Sequence, residues 1–218
     1  NLMVFYENAL ALNDFSMTVG KGKIVAVIGS NSAGKTTLMN TISGLIIDTK
    51  IKEQRKGGER ITLYGKVLFD GKDITDLHPS ERVKEGLVLC RERHPIFPES
   101  DLVENLRIAG YLRSRSEVSE GIDYVFELFP TLERLKTRKA GFLSGGEQQM
   151  LTIGMALIVK PKLLLLDEPL LGLSPIMQKT LVDAILKIRK EAGLTIVVTE
   201  QFARPILPVI DHGYVVEN

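Results

Sequence analysis

The chain of 218 residues holds one cysteine, Cys90, and no tryptophan. A single thiol excludes an internal disulfide framework and fits a reducing compartment. Cys90 ends an apolar stretch and reads as a core residue. The histidines number 3, at His78, His94 and His212. They are scattered, show no metal-ligand spacing, and read as surface or loop residues. Neither sign of charge is in excess: 28 Lys and Arg stand against 27 Asp and Glu, a net of +1. That balance argues against a polyanionic partner, and nucleic acid is not expected. The one local concentration, KIKEQRKGGER at Lys50 to Arg60, reads as a solvated surface loop. No apolar run approaches the about 18–20 residues of a membrane span. IVAVI and KLLLLD are short and end in glycine or a charge. No leader segment is visible, and the chain opens at Asn1. Any role at a membrane is therefore expected to come through a partner.

What is present suits one globular domain over 1–218, with 44% hydrophobic and 25% charged residues. Met3 to Gly20 reads as two β segments with a turn around Ala9 to Asp14. Ile24 to Ile28 is wholly apolar and ends at Gly29, the pattern of a strand buried on both faces. Lys35 to Ser43 reads as helix stopped by Gly44, Ile61 to Phe69 as strand, and Asp70-Gly71 as a tight turn. Helices are expected over Asp101 to Tyr111, with Asp101 and Glu104 as a capping pair. Others are expected over Ser119 to Phe129, Gly145 to Val159, and Pro175 to Glu191. Leu163 to Leu166, Thr195 to Thr199 and Gly213 to Val216 read as strands. Strands alternating with helices predict an α/β core with a mainly parallel sheet. The stretch 91–140 carries helical signals only and reads as an inserted sub-lobe.

Three motifs carry the chemistry. GSNSAGKTT, at Gly29 to Thr37, follows the strand and opens the helix, the context in which the GxxxxGK[ST] phosphate loop is meaningful. Gly29 and Gly34, with small Ser30, Ser32 and Ala33 and with Asn31 between them, let successive N–H groups wrap a phosphate at a helix N-terminus. Lys35 supplies a charge to the β- and γ-phosphates, and the Thr36 hydroxyl, beside Thr37, a magnesium ligand. LLLLDEP at Leu163 to Pro169 delivers Asp167 to the C-terminal edge of the sheet, where open α/β sheets bind ligands. Asp167 suits Mg2+, directly or through water, and Glu168 can deprotonate an attacking water. LSGGEQQ at Leu143 to Gln149 opens another helix, where Ser144, Gly145 and Gly146 offer a hydroxyl and N–H groups to a second anion. Alone, that segment would read as a plain helix cap.

The three motifs in this order resemble the ATP-binding subunits of ABC transporters, over nearly the whole chain. The resemblance implies a P-loop ATPase core with an antiparallel β subdomain in the N-terminal part and the helical sub-lobe. It implies ATP and Mg2+ as cofactors and a head-to-tail dimer with a second ATP-binding subunit. Ser144, Gly145, Gly146 and Glu147 then act on the partner's ATP. It also implies transmembrane permease subunits, an extracytoplasmic substrate-binding protein reached indirectly, and a peripheral place on the cytoplasmic face of the membrane. Tyr6, with Phe5 beside it, matches the aromatic residue that stacks on adenine, and Leu170 to Pro175 matches the loop that touches the opposite subunit.

Two positions depart from the common pattern. Glu92 stands where most relatives carry a glutamine that links the metal to the membrane partner, and Gln201 where most carry a switch histidine. Gln201 can bond a γ-phosphate but cannot take a proton, so catalysis falls on Glu168 with Lys35, and Gln201 positions. Glu92, with Thr36 and Asp167, completes the expected metal set. These departures, with LSGGEQQMLTIG and KLLLLDEPLLGLSP, resemble the subunits of branched-chain amino-acid importers. Importers of other small amino acids or amides, a soluble non-transport ABC ATPase, and a hydrolytically weak regulatory subunit are the alternatives. Three features fit less well: a long stretch from Asp48 to Tyr64, expected as a disordered surface hairpin; Met155 in place of arginine; and Pro205 and Pro208, which oppose a helix between Phe202 and Ile210.

Overall fold

The computed structural model describes residues 1–58, 60–92 and 95–217. In chain order the elements are β1 (Leu2–Tyr6), β2 (Ala9–Phe15), β3 (Ile24–Gly29), α1 (Lys35–Ser43), α2 (Leu45–Lys56), β4 (Ile61–Tyr64), β5 (Leu68–Phe69), β6 (Lys72–Asp73), α3 (Pro79–Glu85) and β7 (Leu87–Cys90). Then come α4 (Leu102–Ala109), α5 (Arg115–Leu128), α6 (Pro130–Arg134), a 3-10 turn (Ala140–Phe142), α7 (Gly145–Ile158), β8 (Leu163–Asp167), α8 (Pro175–Ala192), β9 (Thr195–Glu200) and β10 (His212–Val216).

A five-stranded sheet in the order β10-β3-β9-β8-β7 is parallel throughout. Its apolar runs are explained by two-sided burial. Along β8, Leu164 and Leu166 enter one core while Leu163 and Leu165 enter the other; along β9, Ile196 and Val198 alternate with Val197 in the same way. A period of two places successive side chains on opposite faces. The first core lies under α7, α8 and the helices of the 91–140 stretch. The second lies between the sheet, α1 and a small antiparallel sheet of order β2-β1-β4. Each fully buried leucine contributes about 1.5–3 kcal/mol relative to exposure.

Several local expectations change. The first turn lies at Glu7 and Asn8, with Glu7 at φ 52, and Ala9 is paired with Tyr6. Asp14, expected in that turn, is left-handed at φ 43 within β2, where the pairing register shifts. Its tolerance of this conformation is used in a bulge. The Ile61 to Phe69 strand is interrupted at Gly65, φ 99, where a Cβ would lie 2.3 Å from the Asn1 carbonyl oxygen. Asp70 (φ 49) and Gly71 (φ 79) form the expected turn between β5 and β6.

The stretch from Asp48 is not a disordered hairpin: it continues α2 to Lys56, with Gly57 as a left-handed cap. Lysine, glutamate, glutamine and arginine are good helix formers, and Asp48 pairs with Lys52 at 3.3 Å one turn on. Its charges do face solvent, and Ile46 is its buried residue. The second sub-lobe helix begins earlier than expected, because Ser114 and Glu117 form a capping box ahead of Arg115. Among the described residues of 91–140 there is no named strand, only an isolated bridge between Asp101 and Lys139. No helix covers Phe202 to Ile210.

Two buried side chains tie elements together. Arg82 on α3, 1% exposed, donates from Nε to the Leu77 carbonyl, from Nη1 to those of Thr41 and Ile42, and from Nη2 to that of Thr75, at 2.7–2.9 Å. It thereby caps the C-terminal end of α1. Asn105 on α4 bonds both backbone groups of Phe97 and the Asp101 carbonyl, which fixes the loop after β7 to the helical stretch.

Candidate active site

The phosphate loop has the geometry its glycines predict. At Gly29 a Cβ would lie 2.5 Å from the Val216 carbonyl oxygen; at Gly34, φ 93, it would lie 2.4 Å from that of Ala11. Ser32 is left-handed as well, at φ 68. No side chain caps the N-terminus of α1, so its first N–H groups face the loop's concavity with the positive end of the helix behind them.

A pocket of about 340 Å3 opens there, lined by Asn31, Ser32, Gly34, Lys35, Thr36 and Thr37 of the loop, and by Ala11, Glu92, Glu168 and Leu171. This is the C-terminal edge of the parallel sheet. A larger cavity of about 900 Å3 lies at the opposite edge, beside Leu163 and Thr195 where β8 and β9 begin. It contains none of the polar or charged motif residues, so size does not identify the active site; the convergence of charged and polar groups does.

Lys35 is 4% exposed. Its Nζ donates to the carbonyls of Gly29 and Ser30, each at 2.8 Å, and pairs with Glu168 Oε1 at 3.0 Å. Its three hydrogens are thus engaged by two loop carbonyls and Glu168. Asp167, 3% exposed, accepts from the Thr199 hydroxyl at 2.7 Å and from that of Thr36. Burial raises its pKa, the bonds from Thr199 and Thr36 oppose that rise, and the charges of Glu168 and Glu92 add to it. A buried carboxylate in contact with a threonine hydroxyl is a hard-oxygen pair that fits Mg2+. Glu168 turns away from the strand at φ 48. Its N–H is held by the Thr199 carbonyl and hydroxyl, at 3.2 and 3.1 Å, which aims the side chain toward Lys35.

Of the remaining candidates, Glu92 is exposed and lines the pocket. Gln201 is half-buried just beyond β9 and does not line it. Tyr6 is also outside. It packs half-buried against the second core, paired with Ala9 and Ile61, and Ala11 is the residue of the small sheet that reaches the pocket. The adenine-stacking role implied for Tyr6, half-buried at the end of β1, is a proposal. Gly29, Ser30 and Ala33 shape the loop from behind; Ala33 is 1% exposed.

Ser144 to Glu147 lie elsewhere. Ser144 caps α7, its hydroxyl accepting from Glu147 N at 3.4 Å while Glu147 Oε2 accepts from Ser144 N at 2.7 Å. Glu147 is thus engaged in the cap. Ser144 and Gly145 are exposed, and a Cβ on Gly145 would meet nothing within 4 Å. Gly146 packs on Met177 of α8. His78 caps α3 and His212 opens β10; His94 lies outside the described residues. Cys90 is buried, and its thiol is pushed up to about 12 by desolvation, which excludes a reactive thiolate.

Sequence reasoning missed two site residues. Thr199 is paired in register with Asp167. Glu200 follows it, 4% exposed, accepting from Leu170 N at 2.9 Å. Burial pushes its pKa up to about 7. The signal was available: TIVVTE ends an apolar strand on polar residues, as LLLLDE does.

The sequence profile of the ABC transporter family matches residues 12–171. The chain belongs to the ABC transporter family. It is 37% identical over 214 residues to the high-affinity branched-chain amino acid transport ATP-binding protein BraG of Pseudomonas aeruginosa, covering 98% of this chain and 85% of that protein. Identity is also 37% to the probable branched-chain amino acid transport ATP-binding protein LivF of Archaeoglobus fulgidus, over 96% of this chain and 83% of that one. The lipopolysaccharide export ATP-binding protein LptB of Haemophilus influenzae is more distant, 30% identical over 99% and 84%. Among solved structures, an ATP-binding cassette of an ABC transporter superposes with a TM-score of 0.83 at 28% identity, over 99% of this chain and 87% of that one. The α/β core with its antiparallel subsidiary sheet is the fold of these ABC ATPases.

Proposed function

We propose that this chain is the ATP-hydrolysing subunit that powers an importer of branched-chain amino acids. The observation that carries the reading is the meeting of Lys35, Thr36, Asp167 and Glu168 in one pocket at the sheet's C-terminal edge. The substrate class rests on the likeness to the branched-chain transport proteins, which exceeds that to the lipopolysaccharide export protein.

The chemistry follows from the residues. The loop N–H groups and Lys35 bind and orient the phosphates, and Lys35 exchanges carbonyls and Glu168 for phosphate oxygens. Thr36 and Asp167, with Glu92 beside them, would hold Mg2+, which supplies charge neutralisation at the phosphates. Glu168, released from Lys35, accepts a proton from water as the water oxygen bonds to the γ-phosphorus and the bond to ADP breaks. Gln201 positions the γ-phosphate from the end of β9.

Ser144 and Gly145, exposed and remote from this pocket, serve the ATP of a second ATP-binding subunit arranged head to tail. Phe142, Leu171 and Ile176, 69%, 45% and 82% exposed, supply apolar surface for that contact. Among the described residues no helix is long and apolar enough to cross a membrane. Permease subunits provide the crossing, an extracytoplasmic binding protein delivers substrate to them, and this chain works peripherally at the cytoplasmic face. Glu168→Gln should still bind ATP and trap an ATP-bound dimer on size exclusion. Hydrolysis persisting at the wild-type rate overturns the assignment of the base.

A further inference from the structure

Asp167 and Thr199 are paired in register on β8 and β9, and each is followed by a glutamate. Glu168 turns into the pocket. Glu200 does the opposite: its carboxylate goes under the 170–175 loop, 4% exposed. One oxygen accepts from Leu170 N at 2.9 Å, and the Gln201 N–H bonds to the same carboxylate. The Leu170 peptide is held from its other side too, because Gln178 Nε2 on α8 donates to the Leu170 carbonyl at 3.2 Å. Leu171, the next residue, lines the nucleotide pocket. The charges nearest Glu200 are those of Glu168 and Lys35, and Lys35 is already bonded to Glu168 and two carbonyls.

A buried carboxylate without its own cation is costly. An aliphatic residue would fill the same place at lower cost if packing were its only role. What the carboxylate provides, and an aliphatic residue does not, is a bridge between two backbone segments. One carries Gln201. The other carries Leu171 into the pocket and continues to the exposed surface at Ile176.

We propose that Glu200 is a positioning residue whose carboxylate joins the Gln201 backbone to the Leu170 peptide, so that the two segments respond to nucleotide as one unit. This rests on the reading of Gln201 and the 170–175 loop given above. It assigns to Glu200 the coupling between occupation of the pocket and placement of the loop.

The test compares Glu200→Leu, which keeps approximate size and removes the acceptors, with Glu200→Gln, which keeps one acceptor oxygen. Hydrolysis is measured alongside nucleotide affinity and backbone hydrogen exchange at 168–173 and 201. In Glu200→Leu, kcat should fall about tenfold, the size of an ordinary coupling between sites, with KM for ATP unchanged. ATP should then protect the two segments independently, and Glu200→Gln should recover most of the rate. Equal kcat in all three proteins overturns the proposal while leaving the ATPase reading intact. So does a proportional fall in kcat and affinity that Glu200→Gln does not rescue, which marks simple loss of structure. A wild-type protein that binds ATP without hydrolysing it, even with its membrane partners, overturns the functional reading and this proposal with it.

Discussion

The ion pair between Lys35 and Glu168 makes ATP binding a competition. At 3.0 Å and an effective dielectric of about 20, two unit charges attract by about 5.5 kcal/mol. Much of that is returned when a phosphate oxygen takes the place of the carboxylate. The remainder is the cost of breaking one charge-assisted hydrogen bond and of keeping the freed carboxylate near an anion, about 1.5–3 kcal/mol. Glu168→Gln removes both penalties and keeps the side chain's size. The variant should therefore bind ATP about 10- to 100-fold more tightly than the wild type. Equilibrium titration with a fluorescent, slowly hydrolysed ATP analogue measures this at low protein concentration, where dimer formation does not contribute. Raising ionic strength should change the ratio little, because both partners are buried, at 3% and 10% side-chain exposure. An affinity equal to or weaker than that of the wild type refutes the reasoning: Lys35 would then not be restrained by Glu168 before nucleotide arrives.

Two further outcomes follow from buried charges. Arg82→Ala removes four hydrogen bonds that hold α1 against the 74–77 segment. It should cost about 3–5 kcal/mol and lower Tm by about 10 °C in thermal unfolding; a loss under about 1 kcal/mol contradicts the capping role. For Glu200 the folded pKa is raised from 4.5 to about 7, so the native state holds its proton longer than the unfolded chain. Its contribution to stability therefore declines as pH rises from about 4.5 toward 7, by roughly 3 kcal/mol in all. Glu200→Gln should be no more stable than wild type near pH 4.5 and more stable above pH 7; denaturant midpoints across that range, equal at every pH, refute the shift.

How much was legible depended on how local the cause was. The phosphate loop, the strand ending at Asp167 and the caps at Asp101 and Gly44 are written in contiguous residues, and the structure places them as read. The parallel sheet followed from apolar runs because two-sided burial leaves no polar positions to alternate with. The helix from Leu45 to Lys56 was misread because its charges, and the glycines that follow at Gly57 and Gly58, resemble a loop, whereas the helix propensity of IKEQRK was the better guide. Arg82 and Asn105 gave no signal, since their partners are backbone groups set by tertiary structure. Thr199 and Glu200 were missed for a related reason: their importance comes from register with β8 and from contact with Leu170, across about 30 residues of sequence.

The central claim is that this chain binds ATP at its own phosphate loop but completes another subunit's site with its Ser144 to Gly146 segment. Gly145 is exposed at the start of α7, and a side chain there meets nothing within 4 Å. Gly145→Trp should therefore leave Tm and ATP affinity of the isolated chain unchanged. The most direct measurement is the rate of phosphate release by this variant in the assembled transporter. The account predicts that hydrolysis at the site this segment completes is lost, because the indole occupies the space between the subunits. Release at the wild-type rate would contradict it.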